Sequence, residues 1–326
     1  MNLLYPLKFT PLFKDKVWGG QKIRTELGLD FTPLPNCGEA WMLSGVPGSQ
    51  SVVSNGFLKG NELNELMEIY MDDLIGEKTF DRFGDQFPIL IKFIDSNQWL
   101  SIQVHPDDAL AAKRKIGNGK TEMWYILEAE RGAELISGFS QEVTSKSYLD
   151  HLASKRLKEI LNVETVHAED VFFIPAGRVH ALGPGILLAE IQQTSDITYR
   201  IYDWDRTDNE GKSRELHTDL ALEAIDFRKY GSYRTHYRKA DNKTVNLVGC
   251  PAFTTNLMSF DQSVKKDFQH LDSFVIYLCT QGECRIQYQE GQETLKKGEV
   301  ALIPAITEGI SLIPKQPSVL LEIYLE

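Results

Sequence analysis

Three short stretches offer side chains that bind metals, at positions where an alternating backbone would turn them to one side. In WLSIQVHP (99–106), Ser101, Gln103 and His105 would face one side of a strand while Leu100, Ile102 and Val104 face the other. Pro106 favours extended backbone at His105, which supports the strand. In GKTEMWYIL (119–127) the same parity groups Lys120, Glu122 and Trp124. Glu122 stands at the start of a hydrophobic strand, where a carboxylate needs a cation or several donors. In PAGRVHAL (175–182) a tight turn follows a strand, and His180 opens the next one with its side chain free to point inward. Taken singly each feature is weak, since a lone histidine on a strand is usually just hydrogen-bonded. Together Gln103, His105, Glu122 and His180 form an oxygen and nitrogen set suited to a borderline divalent cation such as Zn²⁺.

The spacing of these four is long-range, so they need a barrel that brings separate strands around one axis. Most of the chain reads as short strands rich in Val, Ile, Phe and Tyr, such as FPILIKFI, MWYILEA, DVFFIPA, ILLAEIQQ, ITYRIYDW, FVIYLC, CRIQYQE and SVLLEIYL. Helical character is confined to ELNELMEIYMDDLIG and VTSKSYLDHLASKRLKEIL. Strands and helices do not alternate, which argues against a doubly wound sheet and for an antiparallel sandwich or barrel with helical insertions.

An internal repeat sharpens the expectation. EDVFFIPAGRVHAL (from 169) lines up with GEVALIPAITEGIS (from 298), and the hairpins before them align with Gly132 opposite Gly282. This predicts two β-modules, 1–235 and 236–326, joined by the basic stretch RKYGSYRTHYRKADNKT, read as a solvated connector. In the second module Gly309 takes the place of His180. Asp272 falls opposite Glu122 without partners, so a single metal site is expected.

The chain has 326 residues, of which 42% are hydrophobic and 25% charged, an ordinary globular composition. Its formal charge of −11 disfavours nucleic acid, and an anionic substrate would need local cations in a pocket. No tract approaches a membrane span, and the opening MNLLYPLKFTPLF is too interrupted for a signal peptide, so a cytoplasmic protein is expected. Cys37, Cys250, Cys279 and Cys284 are scattered and read as packed free thiols. GNGKT lacks the earlier glycine of a P-loop, and no nucleophile elbow occurs. His151, His167, His217, His236 and His270 have no companions at ligand spacing.

QVHPDD (103–108), GKTEMWY (119–125), PAGRVHAL (175–182) and TSDITYRIYDWDR (194–206) closely resemble the class I mannose-6-phosphate isomerases in their short bacterial form, as do VWGG (17–20) and GEAWMLS (38–44). The resemblance implies an all-β double cupin with small helical insertions. It implies one Zn²⁺ per chain on Gln103, His105, Glu122 and His180, the catalytic arginine at Arg200, and a proton-transferring lysine and nearby aspartate at Lys120 and Asp196. Glu190 and Trp18 are further substrate-binding candidates. Longer family members carry an additional helical domain that this chain lacks.

The implied reaction interconverts mannose 6-phosphate and fructose 6-phosphate through an enediolate, with the sugar phosphate as the only expected partner of a monomer or homodimer. An isomerase of another aldose or aldose phosphate, a metal-dependent dioxygenase of the same fold, and a non-catalytic sugar-binding cupin are the rivals. The Gln and Glu beside two His speak against the dioxygenase. Lys120 and Arg200 beside the ligands speak against a purely structural metal.

Overall fold

Alternation in the central strands sets the architecture. The computed structural model describes residues 4–207 and 211–326; Met1, Asn2 and Leu3 of the opening segment read against a signal peptide lie outside the described residues. Ile89–Ser96 and Ile186–Gln193 are buried along their whole length. Ile91, Phe93, Leu187, Ala189 and Ile191 point into a core shared with the C-terminal module, whereas Ile94, Ile186 and Leu188 point into the first barrel. A strand covered on both faces reads as a continuous apolar run, which is why ILIKFI and ILLAEI show so few polar residues. Each such side chain withdrawn from water contributes roughly 1.5–3 kcal/mol before entropy is counted.

The first module is built from a seven-stranded sheet and a five-stranded sheet. The first runs, by neighbour, through Arg234–Thr235, Val171–Ile174, Glu122–Ala129, Ile186–Gln193, Ile89–Ser96, Glu39–Leu43 and Leu12–Lys14. The second runs through Tyr199–Tyr202, Ile102–Val104, His180–Leu182, Glu134–Phe139 and Leu161–Thr165. An eight-stranded sheet forms the second module, and Leu7–Lys8 from the N-terminal region joins it by pairing with Leu302 and Ala301. The pairings between these strands are antiparallel, as the absence of βα alternation predicts.

Helices lie outside the sheets. Ser145–Ala153 starts at a capping box on Thr144 and buries Tyr148 against Ile102, Val104 and Ile201 on the outer face of the five-stranded sheet. Leu63–Ile75 is kinked at Met71, and Glu77–Phe83 follows it directly. The sequence reading missed the latter, as well as Asp108–Arg114 and Thr218–Ala224.

Three expectations need correction. The break predicted between Cys279 and Cys284 is not a turn: Val275–Tyr288 is one strand whose register slips around Gly282, a glycine at φ 83°. Leu100 does not share the face of Ile102 and Val104. The strand covers only Ile102–Val104, and before it the chain bends so that Leu100 joins Trp18 and Trp124 on the interior side. Asp272 does not stand opposite Glu122, as strand register shows. Glu122 pairs with Ile174, and in the repeat Val275 pairs with Ile303, so Val275 is the counterpart. Alignment on the hairpin glycines missed this because the two hairpins differ in length. Asp272 instead caps Glu77–Phe83, accepting from the backbone N–H of Glu77 and Lys78 at 2.7 and 3.1 Å.

The basic stretch is strapped to the first module by ion pairs, Arg234 with Asp170 and Lys239 with Glu169, and by the strand Arg234–Thr235, which pairs with Phe172 and Val171. The four cysteines are free. Among the described residues, no helix is long and apolar enough to cross a membrane.

Candidate functional site

Three strands from two sheets bring the predicted ligands together, and a fourth adds Arg200. His180 is in register with Gln103 on one side of its strand, and Arg200 pairs with Gln103 from the other strand that flanks it. Glu122 opens the facing strand in the other sheet. His105 follows directly after Ile102–Val104, and Pro106 disfavours helical backbone there. His105, Glu122 and His180 are each only 1% exposed.

Proton placement in this cluster follows from the backbone. His105 Nδ1 lies 2.8 Å from the Ile197 carbonyl and His180 Nδ1 lies 2.8 Å from the Arg178 carbonyl. A carbonyl only accepts, so both Nδ1 atoms carry hydrogen and both Nε2 atoms turn a lone pair inward. Burial keeps both rings neutral, pushing His105 well below the usual histidine range and His180 down to about 4. His105 Nε2 is 3.5 Å from Glu122 Oε2, and His180 Nε2 is 3.4 Å from Glu122 Oε1. Neither Glu122 oxygen nor His105 Nε2 makes a hydrogen bond.

Acceptors facing acceptors in a dry site are short of positive charge, since the ion-pair partner Lys120 Nζ reaches one oxygen of Glu122 at 3.6 Å and neither histidine Nε2. The same deficit, from burial first and then the nearby Glu190, pushes the Glu122 carboxyl up to about 8. One proton satisfies one pair only, whereas a cation satisfies the whole set. A tetrahedron of ligands at about 2.0–2.1 Å from Zn²⁺ has edges of about 3.3–3.4 Å, close to the separations seen. Gln103 Nε2 lies 3.2 Å from His180 Nε2, and a half-turn of the amide brings its oxygen there instead. The donor set therefore fits a divalent cation.

A cavity of about 310 Å³ opens beside the cluster. Gln103, Lys120, Trp124, His180, Glu190 and Asp196 line it, and Trp18 and Arg200 complete it. All the sequence-predicted site residues line this cavity except His105 and Glu122, which lie against it through Gln103, His180 and Lys120. Lys120 Nζ is 3.6 Å from Glu122 Oε2, so the parity grouping of Lys120, Glu122 and Trp124 holds. Trp124 stacks edge-on against His180 at 5.4 Å. Asp196 is exposed at the rim, and Trp18 belongs both to the wall and to the interior core.

Sequence reasoning missed Lys92, Glu39, Lys16, Thr198 and Arg214, which also line the cavity. Lys92 is 3% exposed and lies 3.2 Å from Glu190 and 3.8 Å from Glu39. A lysine inside the apolar run ILIKFI was the available signal. Burial works against the Lys92 charge, but Glu190 and Glu39 more than offset it. The Glu39 carboxyl is likewise opposed by burial, yet Lys92 and Lys16 hold it down to about 2. Glu190 accepts from Trp124 Nε1 at 3.0 Å, so it fixes both Lys92 and Trp124.

Arg200 donates from Nη1 to the Glu215 carbonyl at 2.9 Å, and its backbone N–H donates to His217 Nδ1 at 3.1 Å. Burial, then the neighbouring Arg214, lower the Arg200 pKa from its usual value. Asp203 clamps Arg214 and Arg206 beside it, at 2.5 and 2.8 Å. Nothing in the polar loop carrying Arg214 marked it as part of the site.

A family model described as phosphomannose isomerase type I, catalytic domain, matches residues 6–141, and one for an AraC-like ligand binding domain matches residues 259–307. The mannose-6-phosphate isomerase of Streptococcus mutans is 36% identical over 92% of this chain and 92% of its own length. Mannose-6-phosphate isomerase ManA of Bacillus subtilis is 38% identical over 92% of this chain and 93% of its own. A crystal structure of the Bacillus subtilis mannose 6-phosphate isomerase superposes with a TM-score of 0.87 at 31% identity, covering 98% of this chain and 99% of that one. A zinc-bound mannose 6-phosphate isomerase shares the fold with a TM-score of 0.79 at 19% identity, covering 98% of this chain and 99% of that one.

Proposed function

The chain belongs to the type I mannose-6-phosphate isomerase family, and from that premise we propose that it interconverts mannose 6-phosphate and fructose 6-phosphate at the cavity beside Glu122, with one Zn²⁺ held by Gln103, His105, Glu122 and His180. The observation that carries the metal assignment is the convergence of two histidine Nε2 lone pairs and a carboxylate, all buried, with no hydrogen bond to His105 Nε2 or to either Glu122 oxygen. A cation bound there supplies Lewis-acid stabilisation of the negative charge that develops on substrate oxygens.

The chain's own residues handle protons and orientation. Lys120, on the cavity wall and 5% exposed, takes the proton from C2 as the free amine and returns it at C1, while the O2 hydroxyl proton passes to O1. Arg200 presents a planar fork that holds the enediolate. Asp196 at the rim accepts from sugar hydroxyls, and Trp18 walls the ring. Glu190 acts on the substrate through Lys92 and Trp124, whose positions it fixes.

The same reading divides the chain near residue 235 into a metal-binding module, 1–235, and a C-terminal module without a metal site, 236–326. It places the reaction in the cytoplasm, which the scattered free cysteines suit.

The test is a coupled assay for fructose 6-phosphate formed from mannose 6-phosphate, run on zinc-loaded protein, chelated protein and His180→Ala. Activity lost in the last two with circular dichroism unchanged supports the assignment. Full zinc loading with no turnover of this substrate overturns it.

A further inference from the structure

The second module carries an interior polar cluster that the metal centre does not use. Register places Glu322 where Glu190 stands in the first module. Glu190 pairs with Trp124 on one side and Lys92 on the other, and Glu322 pairs with Tyr277 and Asn256. The side chains repeat the arrangement. Trp124 Nε1 donates to Glu190 at 3.0 Å, and Tyr277 OH donates to Glu322 Oε1 at 2.7 Å. Lys92 lies 3.2 Å from Glu190; Asn256 Nδ2 donates to Glu322 Oε2 at 3.1 Å, and Lys266 Nζ pairs with Oε1 at 2.6 Å. The metal ligands are gone, with Val275 and Gly309 in the places of Glu122 and His180. The carboxylate scaffold behind them remains.

A cavity of about 430 Å³ opens onto this scaffold. Lys266 and Glu322 supply its polar side, and Phe268, Leu271, Val275 and Tyr324 supply an apolar one. Holding a carboxylate, an amide and a phenol inside a barrel opposes folding more than apolar side chains of the same volume would, so stability alone does not account for them. Three carboxylates, Asp267, Glu322 and Glu326, surround the cavity against Lys266 and the imidazole of His270, which disfavours an anionic ligand. A neutral ligand with hydroxyls on one side and C–H groups on the other matches both walls. The segment matching a ligand binding domain, 259–307, contains Lys266, Phe268, Leu271 and Val275.

We propose that the C-terminal barrel is a second, non-catalytic binding site for a neutral polyhydroxylated ligand, a monosaccharide or sugar alcohol, whose hydroxyls meet Glu322 and Lys266. Tyr277 and Asn256 hold the carboxylate in place for it. The site is separate from the isomerase cavity and does not require the metal.

Saturation-transfer NMR on the zinc-loaded, full-length protein tests this, with D-mannose and D-glucitol as probes and the sugar-phosphate pair present to fill the first cavity. The expected result is saturable transfer to at least one probe that persists under excess sugar phosphate. Glu322→Gln should weaken it about tenfold, the effect of losing one hydrogen bond to a charged group. Lys266→Met, which removes a partly exposed donor, and Leu271→Trp, which fills the cavity, keep the test decisive if Glu322→Gln does not fold. Both should lose probe binding while isomerase activity stays at the wild-type level. No transfer to either probe, transfer displaced by sugar phosphate, or transfer unchanged in these variants would overturn the proposal. Isomerase activity is read separately, so an inactive wild type counts against the first cavity alone.

Discussion

Glu122 Oε1 and His180 Nε2 lie 3.4 Å apart across the gap between two sheets, two acceptors brought face to face. The Arg178 carbonyl fixes the His180 proton on the far ring nitrogen, so the ring cannot relieve the contact without breaking a 2.8 Å hydrogen bond. Folding alone gives no reason for this arrangement. A cation between the two sheets does.

Glu122→Gln keeps the shape and removes the charge. Zinc content and turnover should then both fall by roughly 100-fold or more, beyond the 10- to 100-fold typical of outer-shell changes. Metal analysis beside a steady-state assay checks this, and full zinc occupancy in the variant would remove Glu122 from the ligand set.

Arg200→Lys retains a positive charge but not the planar fork. If Arg200 holds the enediolate, kcat should fall roughly 100-fold with a smaller change in KM, since the lost contact belongs to the transition state. A rise in KM with kcat preserved would assign Arg200 to ground-state binding of the phosphate instead.

Glu39 makes stability depend on acid. Its folded pKa of about 2 lies below the unfolded value of 4.5, so the folded state favours the ionised form. The stabilisation is fully present above about pH 4.5 and is lost as pH falls toward 2, with an upper bound of about 3 kcal/mol. Urea unfolding at pH 7 and pH 3 should show a smaller pH-induced loss for Glu39→Gln than for wild type. Equal losses in the two proteins would contradict the pairing with Lys92 and Lys16.

Asp272→Ala separates the two accounts of that residue. As a cap on Glu77–Phe83 its removal should cost about 1 kcal/mol and leave zinc content and turnover unchanged. Thermal unfolding and metal analysis decide between this and any role in a metal site.

Much of the site was legible because strand parity is a local rule. Gln103, Lys120 and Trp124 line the cavity as their alternation predicts, with Glu122 buried beside Lys120. What was not legible depends on distance in sequence. Lys92 meets Glu39 and Glu190 only through sheet pairing, and Arg214 reaches the rim from a polar loop. Asp272 was misplaced because hairpin length shifts register, which a glycine alignment does not see. The helix Asp108–Arg114 was overlooked although Asp107 is a readable cap, accepting from Leu110 N–H at 2.7 Å. The glycine at the end of VWGG has a reason visible only in three dimensions: a Cβ on Gly20 would stand 2.5 Å from an oxygen of Asp95.

The most direct measurement is a zinc titration of chelated protein, following isomerase activity on mannose 6-phosphate alongside bound metal. The account predicts that activity returns in proportion to zinc and levels off at one equivalent per chain, and that His180→Ala shows neither binding nor recovery. Undiminished activity in the chelated protein, or recovery that does not track bound zinc, would contradict it.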